Sequence, residues 1–155
     1  MKYPISKEFF PFSRFTPPIS ERFLAMAVPH MKPLRSLFRA KDITVTRHEV
    51  QSYDGAMIEC FLLSPKTLTE PSPCLIYLHG GGFVLAAAGY HYQIAMRYAR
   101  EVGCKVVFVN YRLAPQYPHP NCFEDCDAAM GWTYDHAEAL GIERDRFGIG
   151  GDSAG

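Results

Sequence analysis

From Ile43 the chain settles into a two-residue alternation of apolar and polar positions. Ile43, Val45, His48 and Val50 mark one strand, and Met57, Ile58, Cys60 and Leu62 mark the next. Between them Ser52-Tyr53-Asp54-Gly55 carries turn residues, so the pair is expected to close as an antiparallel hairpin. The pattern then changes. Cys74-Leu75-Ile76-Tyr77-Leu78 and Lys105-Val106-Val107-Phe108-Val109-Asn110 are nearly unbroken apolar runs, as expected of strands buried on both faces of a parallel sheet. A helix is predicted after each. The first places Tyr90, Ile94, Tyr98 and Val102 on one face and ends at Gly103. The second starts with Asn121 as N-cap and Glu124 completing a capping box. Its buried face carries Cys126, Ala129, Met130, Thr133, Ala137 and Leu140, and Gly141 ends it. Arg146-Phe147-Gly148-Ile149-Gly150 reads as one more strand, buried and central. A hairpin followed by strand–helix–strand–helix–strand predicts an α/β domain whose later strands are parallel, joined by right-handed crossovers.

Residues 1–42 follow none of these periods. Prolines and aromatics alternate there (Phe9, Phe10, Phe12 and Phe15 with Pro4, Pro11, Pro17 and Pro18), with short helical stretches over residues 21–28 and 34–40. This segment reads as a cap over the domain of residues 43–155, its apolar residues between 9 and 28 available to line a pocket. Charge divides at the same boundary. The chain has 16 basic and 16 acidic side chains, but residues 1–41 hold eight Lys or Arg against Glu8 and Glu21, leaving the remainder net acidic. The basic residues are scattered rather than blocked, so a solvated cap is expected, not an arm for nucleic acid.

Other partners are narrowed by composition. No apolar run approaches the length of a membrane span, and charges and prolines interrupt the N-terminus, so neither stable membrane insertion nor a secretory leader is expected. The five cysteines are odd in number and form no CxxC pair, which indicates neither a disulfide framework nor a zinc site. Cys122 and Cys126 read as small apolar filler. A reduced, cytoplasmic protein without metal or organic cofactor is the expectation.

The candidate chemistry lies in two glycine-rich stretches. Gly151-Asp152-Ser153-Ala154-Gly155 follows a strand, and Gly-x-Ser-x-Gly in that position is the pattern of a nucleophile elbow, where small neighbours let the backbone turn sharply under the serine. His79-Gly80-Gly81-Gly82 follows a buried strand and leaves backbone N–H groups unshielded, suited to a phosphate or an oxyanion. The glycine spacing matches neither GxxxxGK nor GxGxxG, and Asn110 stands where a nucleotide-binding strand would end in an acid, which disfavours a nucleotide domain.

Together with Tyr111-Arg112-Leu113-Ala114-Pro115, these stretches resemble the hormone-sensitive lipase family of α/β-hydrolases, from about Val45 to Gly155, with the first forty residues similar to that family's cap. The resemblance implies a serine carboxylesterase acting on small, short-acyl esters. Ser153 would be the nucleophile, and the amides of Gly81, Gly82 and Ala154 the oxyanion hole. His79, Gly80, Gly151, Asp152 and Gly155 would support them, His79 by bracing the glycine loop. Arg112 would pair with Asp125 or Asp127. Gln116 and His119 depart from the family pattern in the arginine loop. The family's order is Ser, then Asp or Glu, then His, whereas all six histidines here precede Ser153. The expectation is therefore the N-terminal portion of an esterase, inactive and poorly folded in isolation, whose complete form could be a homo-oligomer. The alternative is a non-catalytic ligand-binding module on the same fold. His136 is expected to be solvated, and His91 to line a pocket or the surface.

Overall fold

The turn chemistry at Ser52 closes as expected. Gly55 takes φ +83° and donates its amide to the Ser52 carbonyl, and Ser52 N donates to Ala56 O at 2.8 Å. In the computed structural model, which describes residues 40–155, this turn joins β1 (Ile43–Gln51) to β2 (Met57–Pro65) in antiparallel register from Ile43 opposite Pro65 to Gln51 opposite Met57. The cap expected over residues 1–42, with its short helical stretches over 21–28 and 34–40, lies outside the described residues up to residue 39. Next come β3 (Ser72–Leu78), α1 (Gly89–Tyr98) continued by a π-helical turn over Ala99–Gly103, β4 (Lys105–Asn110), α2 (Asn121–Asp135) and β5 (Ile142–Gly151). The five strands make one sheet in the order β1-β2-β4-β3-β5, with β2 antiparallel to β4, and β3 parallel to both β4 and β5.

The unbroken apolar runs are explained by two core layers. On β2, β3 and β4, alternate side chains point to opposite faces. Ile58, Cys60, Leu62, Cys74, Ile76, Val107 and Val109 pack with Cys122 and Ala129 of α2. Phe61, Leu63, Tyr77, Val106 and Phe108 pack with Tyr92, Ala95, Met96 and Ala99 of α1. A helix therefore lies on each face. Each fully buried aliphatic or aromatic side chain contributes roughly 1.5–3 kcal/mol.

Four expectations are corrected. The buried face of α1 is His91, Tyr92, Ala95 and Met96, while Tyr90, Tyr98 and Val102 are exposed. A strict four-residue repeat advances about 400° per step and so drifts around a helix of 3.6 residues per turn. The capping box at Asn121 does not form. Pro120 is the N-cap, and the Asn121 side chain donates to Pro118 O at 2.8 Å instead. Helix α2 ends at Asp135, before Ala137 and Leu140, and the chain reaches Gly141 (φ +63°) through turns. Finally, β5 is longer than predicted and forms an edge among the described residues, with Ile149 59% exposed, rather than a buried central strand.

Candidate active site

The three parallel strands end side by side, and each runs into one of the three motifs. The His79 loop follows β3, the Tyr111 loop follows β4, and the serine turn follows β5. The crevice beyond the carboxyl ends of parallel strands is where α/β folds bind ligands.

The serine turn is tight. Ser153 has φ +55°, left-handed backbone that a non-glycine residue adopts at a cost of order 1–3 kcal/mol. Its neighbours must be small for a specific reason. A Cβ on Gly151 or Gly155 would run into the Leu78 carbonyl oxygen at the end of β3. The Gly155 amide closes the turn on Asp152 O at 2.9 Å.

The glycine loop lies against this turn. A Cβ on Gly80 would sit 2.5 Å from Asp152 Oδ2 and 3.1 Å from Ser153 Cβ. Gly81 (φ +134°) has no room either, because a Cβ would lie 2.5 Å from Leu85 O. Its carbonyl accepts from Leu85 N at 2.9 Å and Val84 N at 3.2 Å. Gly82 (φ +61°) faces open space. Gly80 is thus brought against Ser153, and Ala154 beside it lines an apolar hollow of about 240 Å³ with Phe83, Phe123, Cys122 and Cys126. A larger open hollow of about 570 Å³ lies at the other end of the sheet, against Glu70, Glu138 and Glu143, away from all three motifs.

Asp152 ties the loop to the strand. Its Oδ1 accepts from Tyr77 Oη at 2.7 Å and from Gly80 N at 3.1 Å, and its Oδ2 lies 3.3 Å from His91 Nε2. Burial works to raise its pKa, but the Tyr77 and Gly80 hydrogen bonds and His91 outweigh it, so the carboxyl titrates below its usual value. His79 is fully buried. Its Nδ1 donates to Gly80 O at 2.8 Å, and its ring stacks between Phe108 and Tyr111 at centroid distances of 5.9 and 4.3 Å. Burial lowers its pKa to about 4, so the ring is neutral near pH 7.

The Tyr111 loop is sewn to the same glycines. Tyr111 Oη donates to His79 O, and Ala114 N donates to Phe83 O at 2.9 Å. Arg112 reaches Asp125 from Nη2 at 2.7 Å and from Nε at 2.9 Å, and Asp54 from Nη1 at 2.6 Å. Asp125 is its partner on α2; Asp127 bonds Tyr53 at 2.5 Å instead. Of the two departures, Gln116 is exposed, and His119 meets Phe123 edge-on at 5.2 Å.

Sequence reading gave Tyr77 no role and placed Tyr111 only within its motif; the hydroxyls of both reach the site from otherwise apolar surroundings. A tyrosine ending a buried run is the available signal, since its hydroxyl must find a partner. His91 is also corrected: it is 2% exposed and turned onto Asp152, not to the surface. His136 is exposed, as expected, and stacks on Trp132. Among the described residues no imidazole hydrogen-bonds the Ser153 hydroxyl, and no group of three or more His, Cys, Asp or Glu could hold a metal ion. All five cysteines are free, and burial pushes the Cys60, Cys74 and Cys126 thiols up to about 12. No helix among the described residues is long and apolar enough to cross a membrane.

Comparison with known proteins agrees with this geometry. A family model described as the alpha/beta hydrolase fold matches residues 75–155. The chain is 42% identical over 81 residues to the ethyl acetate hydrolase of Pseudomonas putida, covering 52% of this chain and 26% of that one. It is 36% identical over 104 residues to the carboxylesterase NlhH of Mycobacterium tuberculosis, covering 66% and 33%. The solved structure of a bacterial heroin esterase superposes with a TM-score of 0.71 at 32% identity, covering 86% of this chain and 42% of that one. The chain thus spans less than half the length of these relatives. With its three motifs gathered at the carboxyl ends of parallel strands, it belongs to the α/β-hydrolase fold family, in the hormone-sensitive-lipase-like group of esterases.

Proposed function

We propose that these residues are the nucleophile-bearing part of a serine carboxylesterase acting on small, short-acyl esters. The observation that carries the reading is the strained Ser153 turn, packed so closely against the glycine loop that Gly80 has no room for a Cβ.

Ser153 Oγ attacks the ester carbonyl carbon while a base takes the hydroxyl proton. The carbonyl oxygen becomes an oxyanion, and the amides of Gly81, Gly82 and Ala154 stabilise it. Collapse breaks the bond to the alcohol oxygen, which leaves with the proton held by the base, and Ser153 carries the acyl group. Water, deprotonated by the same base, then attacks the acyl carbon, releasing the acid and restoring the serine. The imidazole serving as base, and the carboxylate behind it, would come from parts of such an esterase that the described residues do not include. Asp152 and His79 support the loop and exchange no proton with substrate. The names of the relatives as esterase, carboxylesterase and ethyl acetate hydrolase support the reaction class.

The alternative is a ligand-binding module on the same fold, for which the apolar hollow of about 240 Å³ beside Ala154 would be the cavity. Substitution in the complete gene product separates the two. Ser153→Ala is expected to lower hydrolysis of p-nitrophenyl butyrate by at least roughly a thousandfold and to abolish labelling by a fluorophosphonate. Equal hydrolysis by the wild type and the variant would show that Ser153 is not the nucleophile. A folded wild type with neither turnover nor label would favour the binding module.

A further inference from the structure

His91 is buried in the first turn of α1, where nothing in the proposed chemistry calls for an ionisable group. Its two nitrogens face different partners. Nδ1 accepts the Ala88 backbone N–H at 2.8 Å. A ring nitrogen that accepts carries no proton, so the neutral imidazole holds its proton on Nε2. That nitrogen is shielded from water and lies 3.3 Å from Asp152 Oδ2, within ion-pair reach but short of a formed hydrogen bond. The other carboxylate oxygen is already taken by Tyr77 and Gly80. Among the described residues the other rings at this position are Tyr90, at 3.8 Å, and His79, at 5.5 Å.

We propose that His91 is a positioning residue for the oxyanion loop: the Ala88 amide selects its tautomer, its Nε2–H anchors Asp152, and Asp152 holds the amide of Gly80. The chain of contacts runs from α1 through the serine turn to the residue immediately before Gly81 and Gly82. A contact that is long in the unliganded site can tighten as charge develops on substrate. The role rests on the reading of Ser153 as a nucleophile, since a loop with no oxyanion to bind needs no such anchor. A histidine serving only to cap α1 would use Nδ1 alone.

The two roles separate by substitution in the complete gene product, because Gln places its amide nitrogen near the Nε2 position and Asn places its amide oxygen near Nδ1. His91→Gln keeps the donor to Asp152 and gives up the cap; His91→Asn keeps the cap and gives up the donor. With p-nitrophenyl butyrate, His91→Asn is expected to lose about ten- to a hundredfold in kcat with KM little changed, the scale of a displaced catalytic group. His91→Gln is expected to retain most of the rate. The reverse order, or equal losses, overturns the proposal. Should the wild type itself prove inactive, the esterase reading fails rather than the tautomer, which is read separately. Nitrogen-15 NMR of labelled histidine in the folded wild type is expected to show the His91 proton on Nε2. A proton on Nδ1 would overturn the proposal whatever the activity.

Discussion

Gly80 leaves no room for a single methyl group. With Asp152 Oδ2 at 2.5 Å and Asp152 O at 2.6 Å from where a Cβ would sit, Gly80→Ala must part the glycine loop from the serine turn. It is expected to lower esterase activity of the complete protein about a hundredfold, against about 1–3 kcal/mol of stability, read by kinetics and thermal melting. His79 makes a pH-dependent contribution. Its folded pKa of about 4 lies below the usual imidazole value, so the unfolded chain binds more protons in between. Stability supplied by the neutral ring is therefore fully present above about pH 6.5, and is lost as pH falls toward 4. His79→Asn, which keeps a donor for Gly80 O without titrating, is expected to flatten the melting temperature against pH in that window. The full linkage is about 3 kcal/mol. Both residues stood out in the sequence because glycine repeats and a histidine beside them are visible as identities. Tyr77 and His91 did not, because their importance comes from what their polar tips meet across the fold.

At the scale of elements, the site is a junction of three strand ends, and Arg112 ties that junction to the rest. Its guanidinium joins the loop after β4 to Asp125 on α2 and to Asp54 in the β1–β2 turn, with Ser52 Oγ also donating to Asp125 at 2.6 Å. Asp125 is fully buried, so Asp125→Ala leaves a largely buried guanidinium short of its main counter-charge. A loss of about 3–5 kcal/mol is expected in denaturant or thermal unfolding. The sequence reading narrowed the acidic partner to two residues; only the helix phase of α2 chose between them, with Asp127 turned to Tyr53. The same kind of choice explains the misplaced face of α1. Tyr90, Tyr98 and Val102 are apolar enough to be buried, but the phase set by the chain leaving the glycine loop turned Tyr92, Ala95, Met96 and Ala99 inward instead.

Across the whole molecule, the sheet is covered on both faces around β2, β3 and β4 and is thin at β5. There β5 pairs only with β3 among the described residues, and Ile149 is exposed. An uncovered strand edge invites association. The 155-residue polypeptide expressed alone is therefore expected to self-associate in size-exclusion chromatography and to show negligible ester hydrolysis. A monodisperse, cooperatively melting and active sample would count against that. The sequence by itself determined the strand-rich core and its class, since period-two and unbroken apolar runs report burial on one or two faces. It also marked the serine turn and glycine loop, because those backbone shapes exclude almost every other residue. Only the tertiary structure decided the strand order, the phase of each helix, and the convergence of Tyr77, Gly80 and His91 on Asp152. Those depend on contacts between residues as many as 75 positions apart, whose pairing no local pattern records.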